Sequence, residues 1–215
     1  MRSYPRLAAD AGRIVAKPDV SVGELKIALF EVPEEFSGEP ALVLAASTSS
    51  PGWRRQPVEI HHAGRVHMVQ TPRRKSVLGH ATTALDGAPV DGIVEVALCD
   101  SEQWLVSCSA DDLELGDNLA VLGKEVIQFG EATPLGEGRF RLGRLRRGQA
   151  GTQGAISTHK KGEPFALIER SGLQPISLPI WSPGSAVRAS AQNGYEECSL
   201  IPAFKGRRKG AKLKL

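Results

Sequence analysis

Three closely spaced histidines are the first candidates for metal binding or acid–base chemistry. His61, His62 and His67 fall on two short β-like segments separated by Ala63-Gly64, a dipeptide that favours a hairpin turn. Since adjacent residues of a strand point to opposite faces, His61 and His62 cannot ligate one ion together, and a metal site also needs a third ligand and supporting contacts. We therefore expect surface or half-buried histidines and no bound metal, with a metal site as the less favoured alternative.

The acidic stretch 111–118 and the glycines after it are the next candidates, for calcium and for phosphate. The acidic spacing misses the pattern of a calcium-binding loop, so a solvated acidic loop is favoured. Gly123-Lys124 is similar to the end of a P-loop, but Gly116 lies too far away and Glu125 stands where Ser or Thr would bind magnesium. Neither stretch predicts a cofactor.

A catalytic constellation is equally hard to find. The sequence has no G-x-S-x-G elbow. Ser157, Thr158 and His159 are neighbours in sequence, but a triad is defined by spatial roles and not by adjacency. Nothing singles out a glycosidase-like pair among the 24 acidic residues. We predict that the protein is not an enzyme and name no catalytic residue.

The arginine-rich run 139–148 is the most distinctive basic feature. Strand alternation puts Arg139 and Arg141 on one face and Phe140 and Leu142 on the other. Such a face could bind nucleic acid phosphates, or it could belong to an edge strand whose arginines pair with neighbouring acids. Aromatic residues make up only 5% of the chain, with no interleaving suited to base stacking. Nucleic acid is therefore the less favoured partner.

The elements that must position these residues are predicted to be strands. Period-2 patterns and short β-rich runs are common, and Gly/Pro turns separate them at regular intervals; one of these turns, Asn193-Gly194, is typical of a type I′ hairpin. This pattern predicts an all-β protein built of β-sandwich or barrel-like modules. The predicted strands are Leu25–Phe30, Ala41–Ala46, Val58–His62, Val66–Gln70, Ile93–Leu98, Trp104–Cys108, Glu125–Phe129, Arg139–Leu145, Phe165–Glu169, Ile176–Ile180, Val187–Ala191 and Tyr195–Pro202.

Composition points to a soluble globular protein. The chain has 215 residues, 41% hydrophobic and 24% charged, and a mean hydropathy of −0.18. No apolar run approaches the roughly 20 residues of a membrane-spanning helix, and the N-terminus lacks the apolar region of a signal peptide, so we expect no membrane span and folding in a cytoplasm. Three cysteines without pair spacing argue against a disulfide framework and a zinc site.

Charge is distributed unevenly along the chain. Residues 1–138 carry 12 Lys/Arg and 20 Asp/Glu, whereas residues 139–215 carry 15 and 4. Such polarity suits head-to-tail packing of copies or an anionic partner. We predict a β-rich domain over 1–115, a second β-rich module over 116–204 containing the Arg/Gly motif, and a basic flexible tail over 205–215.

An ordered set of motifs carries a family resemblance. Gly116-Asp117-Asn118-Leu119-Ala120-Val121-Leu122-Gly123-Lys124-Glu125-Val126-Ile127-Gln128-Phe129 is followed by Gly138-Arg139-Phe140-Arg141-Leu142, Leu145-Arg146-Arg147-Gly148, Gly151-Thr152, His159 and Gly162-Glu163-Pro164-Phe165. Together these resemble the C-terminal region of baseplate-hub proteins of gene transfer agents and siphophages, large tail-tip proteins that also contain a TIM-barrel-like region. Leu25–Ala46 is similar to the stretch that precedes this region.

The resemblance implies a structural role at a phage-like tail tip. The expected partners are other tail-tip and baseplate-hub proteins, in a homotrimer that also meets a host cell-surface glycan, and the expected location is the tail tip of a virion assembled in the bacterial host cytoplasm. The motif residues expected to build the structure or its interfaces are Asn118, Glu125, Gln128, Phe129, Arg141, Arg146, Arg147, Gly148, Gly151, Thr152 and His159.

Two departures and two alternatives qualify this expectation. Gln153 follows the Gly-Thr pair where many relatives carry an acid, and the 215 residues leave no room for the TIM-barrel-like region, so glycan hydrolysis by that region is not expected here. The first alternative is a receptor- or carbohydrate-binding module at the tail tip. A hydrolase of cell-envelope glycans is the least favoured.

Overall fold

Strands dominate the computed structural model of the chain, which confirms the all-β prediction. The structure describes residues 23–32, 41–50, 52–85, 92–156, 159–169, 174–176, 184–192 and 196–202. The predicted tail 205–215, the Asn193-Gly194 turn, Ser157, Thr158 and most of the predicted strand Ile176–Ile180 lie outside these ranges.

Seven of the described strands form a two-sheet sandwich. They are β1 (Leu25–Val32), β2 (Ala41–Thr48), β3 (Val58–His62), β4 (Arg65–Gln70), β11 (Gln174–Pro175), β12 (Val187–Ala191) and β13 (Glu197–Leu200). One antiparallel sheet has the order β1–β2–β11, and the other has the order β13–β12–β3–β4. Apolar residues of the two inner faces, such as Leu29 and Leu44 on one side and Ile60 and Ala189 on the other, share one core.

The other six strands close into a barrel. They are β5 (Leu78–Ala81), β6 (Val94–Leu98), β7 (Leu119–Leu122), β8 (Glu125–Gly136), β9 (Arg139–Gln149) and β10 (Pro164–Leu167). Their order is β10–β5–β6–β9–β8–β7, and pairing of β10 with β7 completes the ring. The interior is filled by large apolar side chains, among them Phe129, Phe140 and Phe165.

The sheet containing β1 and β2 is buried on both faces. One face packs against β3 and β12, while the other, with Phe30, Val43 and Ala45, packs on the outer wall of the barrel at Val121 and Val126. This explains why β1 and β2 read as nearly continuous apolar runs without strict alternation. The barrel and the sandwich therefore share an apolar interface.

The order of the elements places the barrel between two parts of the sandwich. Barrel strands run from residue 78 to 167, whereas sandwich strands lie before and after them. Strands on both sides of the predicted boundary between residues 115 and 116 therefore pair within one barrel.

Residues 104–108 were predicted as a strand, and that assignment is wrong. The segment is extended, and it lies beside β8 beyond the end of β7: the Cys108 amide donates to the Gly130 carbonyl at 3.1 Å and Ser107 Oγ accepts from the Ala132 amide at 3.0 Å. It covers an otherwise open stretch of the β8 edge without forming a regular ladder. A short helix, α1 (Ala110–Glu114), follows it, with Ser109 and Asp112 forming a reciprocal capping box.

Helices long and apolar enough to cross a membrane do not occur among the described residues.

Candidate functional site

The β8–β9 hairpin places two oppositely charged side chains at one end of the barrel core. Glu125 shares the inward-facing side of β8 with Ile127 and Phe129. Arg147 lies near the end of β9, where the ladder is irregular between Val126 and Gln128. Both charged side chains are almost completely buried, so each must find its partners inside the protein.

The Glu125 carboxylate collects donors from several directions. Arg147 Nε lies 2.8 Å from Oε1, and Arg147 Nη2 lies 2.7 Å from Oε2, which is the bidentate geometry that an arginine offers a carboxylate. The Gly148 amide donates to Oε1 at 2.6 Å. The result is a carboxylate whose lone pairs are occupied by donors from the hairpin and from the loop beyond it.

His159 bridges this carboxylate to a second one. Its Nε2 lies 2.6 Å from Glu125 Oε2, and its Nδ1 lies 2.6 Å from Glu163 Oε2. Because carboxylates only accept, a ring that bonds to one on each side carries both protons and is positively charged. The cluster therefore contains two carboxylates and two cations, and we call Glu125, Arg147, His159 and Glu163 the ionic plug.

The contacts within the ionic plug shift the pKa values of Glu125 and His159. Burial alone would raise the pKa of Glu125, but hydrogen bonds from His159, Arg147 and the Gly148 amide lower it to about 2. The hydrogen bond to Glu125 raises the pKa of His159 against the opposing effect of burial, and Glu163 adds to the rise. Both shifts stabilise the charged forms.

Backbone contacts hold the histidine in place from the other side. Leu85 and His159 form an antiparallel bridge, with amide-to-carbonyl distances of 3.2 and 3.1 Å. Arg147 Nη2 also donates to the Ile156 carbonyl at 3.1 Å. The connection between β9 and β10 is thus fastened to the barrel end through the ionic plug.

Glycine is required at two positions next to the plug. Gly148 has φ +61°, and a Cβ there would lie 2.7 Å from Ile156 Cδ1 and 3.0 Å from Gln153 Cα. Gly123 has φ +60°, and a Cβ there would lie 2.5 Å from Glu163 Oε2. Any larger residue would push the loop or the second carboxylate away.

Asn118 and Gln128 fasten the acidic segment to the same barrel. Asn118 Nδ2 donates to the carbonyls of Val106 and Phe129 at 2.7 and 3.1 Å. Gln128 Nε2 donates to the carbonyls of Leu113 and Asp117 at 2.8 and 2.9 Å. Both side-chain amides satisfy backbone carbonyls around the acidic segment, which is a structural role.

The remaining motif residues also make structural contacts. Thr152 Oγ1 accepts from the Val126 amide and donates to the Gln149 carbonyl, while Phe129 belongs to the barrel core. On the outside, Arg141 pairs with Glu95 at 2.9 Å and Arg146 with Glu114 at 2.6 Å. Arg141 and Arg146 therefore pair with neighbouring acids, as the edge-strand alternative predicts. Its other half is wrong, because β9 lies between β6 and β8 in the barrel and is not an edge strand.

Gly151 follows Ala150 in the loop after β9 and differs from the other motif glycine, Gly148. Its φ is +78°, and a Cβ there would meet no atom within 4 Å. The positive φ favours glycine at this position, whereas no neighbouring atom would clash with a side chain.

The side chains of the ionic plug bond to one another, which limits the chemistry that they can perform. The carboxylate and the imidazole that could act as base or nucleophile bond to each other, the carboxylate also bonds to Arg147, and all three side chains are buried. No group of three metal-binding side chains occurs among the described ranges. The plug can hold loops, and its charges can respond to pH; of its four side chains Glu163, which is 29% exposed, is the one in appreciable contact with solvent.

Sequence reasoning missed Glu163, Glu95 and Glu114 as partners of the motif residues. Glu163 lies 38 positions from Glu125, so no local pattern joins the two. The signal that could have found the site was Glu125 itself, a charged residue inside the apolar run 119–129, because a charge in a buried strand needs a partner.

The three clustered histidines lie on the β3–β4 hairpin, far along the chain from the plug. The rings of His62 and His67 approach to 5.5 Å between centroids. His61 Nε2 lies 3.0 Å from Ser190 Oγ and 3.3 Å from Glu59. The hairpin thus brings His62 and His67 together.

A groove lies beside the ionic plug, where the sandwich meets the barrel. It has a volume of about 330 Å³ and is mainly apolar, with Lys124 and Glu31 among its lining residues. One wall consists of Gly151, Thr152, Gly154 and Ala155, which belong to the loop that the plug fastens. The plug therefore helps to set the shape of this groove.

Comparison with known proteins gives one match. Residues 76–166 match the protein-family model described as Rcc01698-like, C-terminal. The matched segment contains every predicted motif residue and nearly the whole barrel, and it covers less than half of the chain. No curated protein and no solved structure matches the chain significantly.

Proposed function

We propose that this protein is a structural component of the tail tip or baseplate of a phage-like particle, where it contacts the hub and takes part in attachment to the host surface. Its location is the virion tail tip, after assembly in the bacterial host cytoplasm. The proposal extends the motif resemblance of residues 116–165, which lie within the segment matched by the family model.

One observation carries the proposal. The polar motif residues are used to close the barrel and to fasten its loops: Glu125, Arg147 and His159 in the plug, Asn118 and Gln128 on the acidic segment. Residues engaged in this way support a rigid module, and they leave the outer surfaces for contacts with neighbours. We therefore propose a scaffold and not a catalyst.

The assembly partners follow from the same proposal. They are other tail-tip and baseplate-hub proteins, with copies of this chain arranged as a homotrimer around the tail axis. The uneven charge along the chain supports oriented packing against such neighbours.

The direct biochemical test is complex formation with the hub. The full chain is mixed with a candidate hub protein from the same genome, and the mass is measured by light scattering. We expect a stable complex containing both chains. A chain that keeps its own mass in the presence of every tail protein would contradict the proposal.

A second candidate function is glycan binding at the tip, and Trp104 favours it. This side chain is 63% exposed, and its ring stands edge-on to the buried Phe140 ring at 5.1 Å. An exposed indole offers a flat apolar face to a ligand. Whole-cell or glycan-array binding that persists at moderate salt and is lost in Trp104→Ala, but not in Ile93→Ala, would support this function; equal binding by both variants would exclude this face.

A further inference from the structure

Among the described strands, β4 is the outermost on one side of the four-stranded sheet. The opposite edge, at β13, is approached by β1: the Ile27 amide and Lys26 Nζ both bond to the Glu196 carboxylate just before β13. On β4, no backbone hydrogen bond joins the strand to any described residue outside its ladder with β3. An open edge of this kind is a template for another strand.

The side chains of β4 suit an apolar neighbour. Val66 and Val69 are 51% and 55% exposed. Arg65 is the only residue of β4 that is charged at neutral pH, apart from any charge on His67, and the strand contains neither Pro nor Lys. Protective charges of the kind that often guard edge strands are therefore sparse.

The backbone direction of β4 follows from its ladder. The Pro57 carbonyl accepts from the Gln192 amide, next to β12, so alternate residues Glu59 and His61 also direct their backbone groups to β12. Their partners on β4 are Val69 and Val66. These two valines consequently direct their N–H and C=O groups away from β3, toward the open edge.

A β-bulge makes this arrangement self-complementary. The register shifts between Ile60 and His61, which leaves His67 as an extra residue between Val66 and Met68. In a regular strand, residues three apart direct their backbone groups to opposite sides. Because of the extra residue, Val66 and Val69 direct their backbone groups to the same side of the strand.

We propose that β4 pairs antiparallel with β4 of a second copy of this chain, and so joins the two four-stranded sheets into one of eight strands. About the two-fold axis, Val66 lies opposite Val69 of the partner subunit, so both valine pairs are cross-strand neighbours. Arg65 lies opposite Gln70 of the partner subunit, which avoids opposed like charges. The interface is isologous, with each copy contributing the same surface.

This contact does not depend on the proposed function. It produces a dimer when it acts alone. If the proposed three-fold contact forms as well, the two together close an assembly of dihedral symmetry with six copies. In either case, loss of the β4 contact halves the mass.

The test compares two lysine variants by light scattering over a range of concentrations. Val69→Lys places a charge at the proposed interface, whereas Ile93→Lys changes a residue of similar exposure, 57%, outside β4. We expect the wild type and Ile93→Lys to share a mass of two copies of the 23.0 kDa chain, or of six, and Val69→Lys to show half of it. Equal masses for the wild type and Val69→Lys would overturn the proposal, and a mass of one or three copies for the wild type would do the same.

Amide hydrogen exchange gives a second readout that does not require a variant to fold. At concentrations where the dimer forms, the Val66 and Val69 amides should be protected, and dilution should remove that protection while the Met68 amide, which faces β3, keeps it. Fast exchange at Val66 and Val69 at every concentration would overturn the proposal.

Discussion

The guanidinium of Arg147 and the carboxylate of Glu125 form a bidentate ion pair, with N–O distances of 2.8 and 2.7 Å, inside the end of a closed six-stranded barrel. Two strands that are adjacent in sequence supply the two residues, and His159 then ties the pair to the connection between β9 and β10. The pair therefore links the β8–β9 hairpin to the position of that connection.

Removal of one partner should be strongly destabilising. Arg147→Ala leaves the Glu125 charge buried without its main counterion, and we expect the free energy of unfolding to fall by about 3–5 kcal/mol, measured by urea denaturation. The matched control is Arg141→Ala, which breaks an exposed pair with Glu95 and should cost less than about 1 kcal/mol. Similar losses for the two variants would contradict a special role for the buried pair.

Stability should depend on pH at both ends of the range. The pKa of His159 is raised in the folded protein, so its contribution is fully present below its unfolded value of 6.5 and is lost as pH rises through the folded pKa. The pKa of Glu125 is lowered from 4.5 to about 2, so its contribution is present above 4.5 and is lost as pH falls toward 2. Unfolding free energies measured from acid to alkaline pH should therefore peak between these limits.

One variant tests whether His159 causes the loss of stability at alkaline pH. His159→Gln cannot carry the charge, so its stability should change less than that of the wild type as pH rises above the unfolded histidine value of 6.5. Identical slopes for both proteins in this range would show that another group is responsible.

Substitution of the two motif glycines, Gly148 near the end of β9 and Gly151 in the loop after it, should have different effects. Gly148→Ala and Gly151→Ala both force alanine into a positive-φ conformation, which costs roughly 1–2 kcal/mol. Only at position 148 does the added methyl group also meet Ile156 and Gln153, so Gly148→Ala should lower the melting temperature further. Equal decreases in melting temperature would mean that the loop can move to accommodate the added methyl group at position 148.

Gln128 should control local opening of the acidic segment. Gln128→Ala leaves the carbonyls of Leu113 and Asp117 without their donor, a loss of about 1–3 kcal/mol where such groups stay buried. We expect faster amide exchange over residues 110–117, while Gln149→Ala, which removes a bond to the nearby Arg147 carbonyl, should leave these residues unchanged. Unaltered exchange in Gln128→Ala would count against the fastening role.

Much of the fold could be predicted from local patterns, and the exceptions have physical causes. The alternation of β3 and β12 indicated their bounds directly, since each has one buried face. β7 was not predicted, because all four of its residues are buried and its sequence therefore lacks the alternation of apolar and polar residues. Residues 104–108 have a β-rich composition, but they cover the β8 edge through irregular contacts and form no ladder.

The candidate site was only partly predictable. The motif pointed to Glu125, Arg147 and His159, but their convergence depends on closure of the barrel, a pairing of β10 with β7 that no local pattern encodes. Glu163 remained hidden for the same reason. The predicted roles at interfaces stay predictions, because the contacts within the chain account for these residues without a neighbour.

Locating the protein in the particle decides whether it is a structural part of a phage-like tail tip. Particles purified from cells that carry the gene are labelled with a gold-conjugated antibody against this chain and imaged by electron microscopy. We expect gold at the distal end of the tail, and particles with defective tips when the gene is deleted. If the protein is absent from purified particles and the deletion strain has intact tips, it is not a tail-tip component.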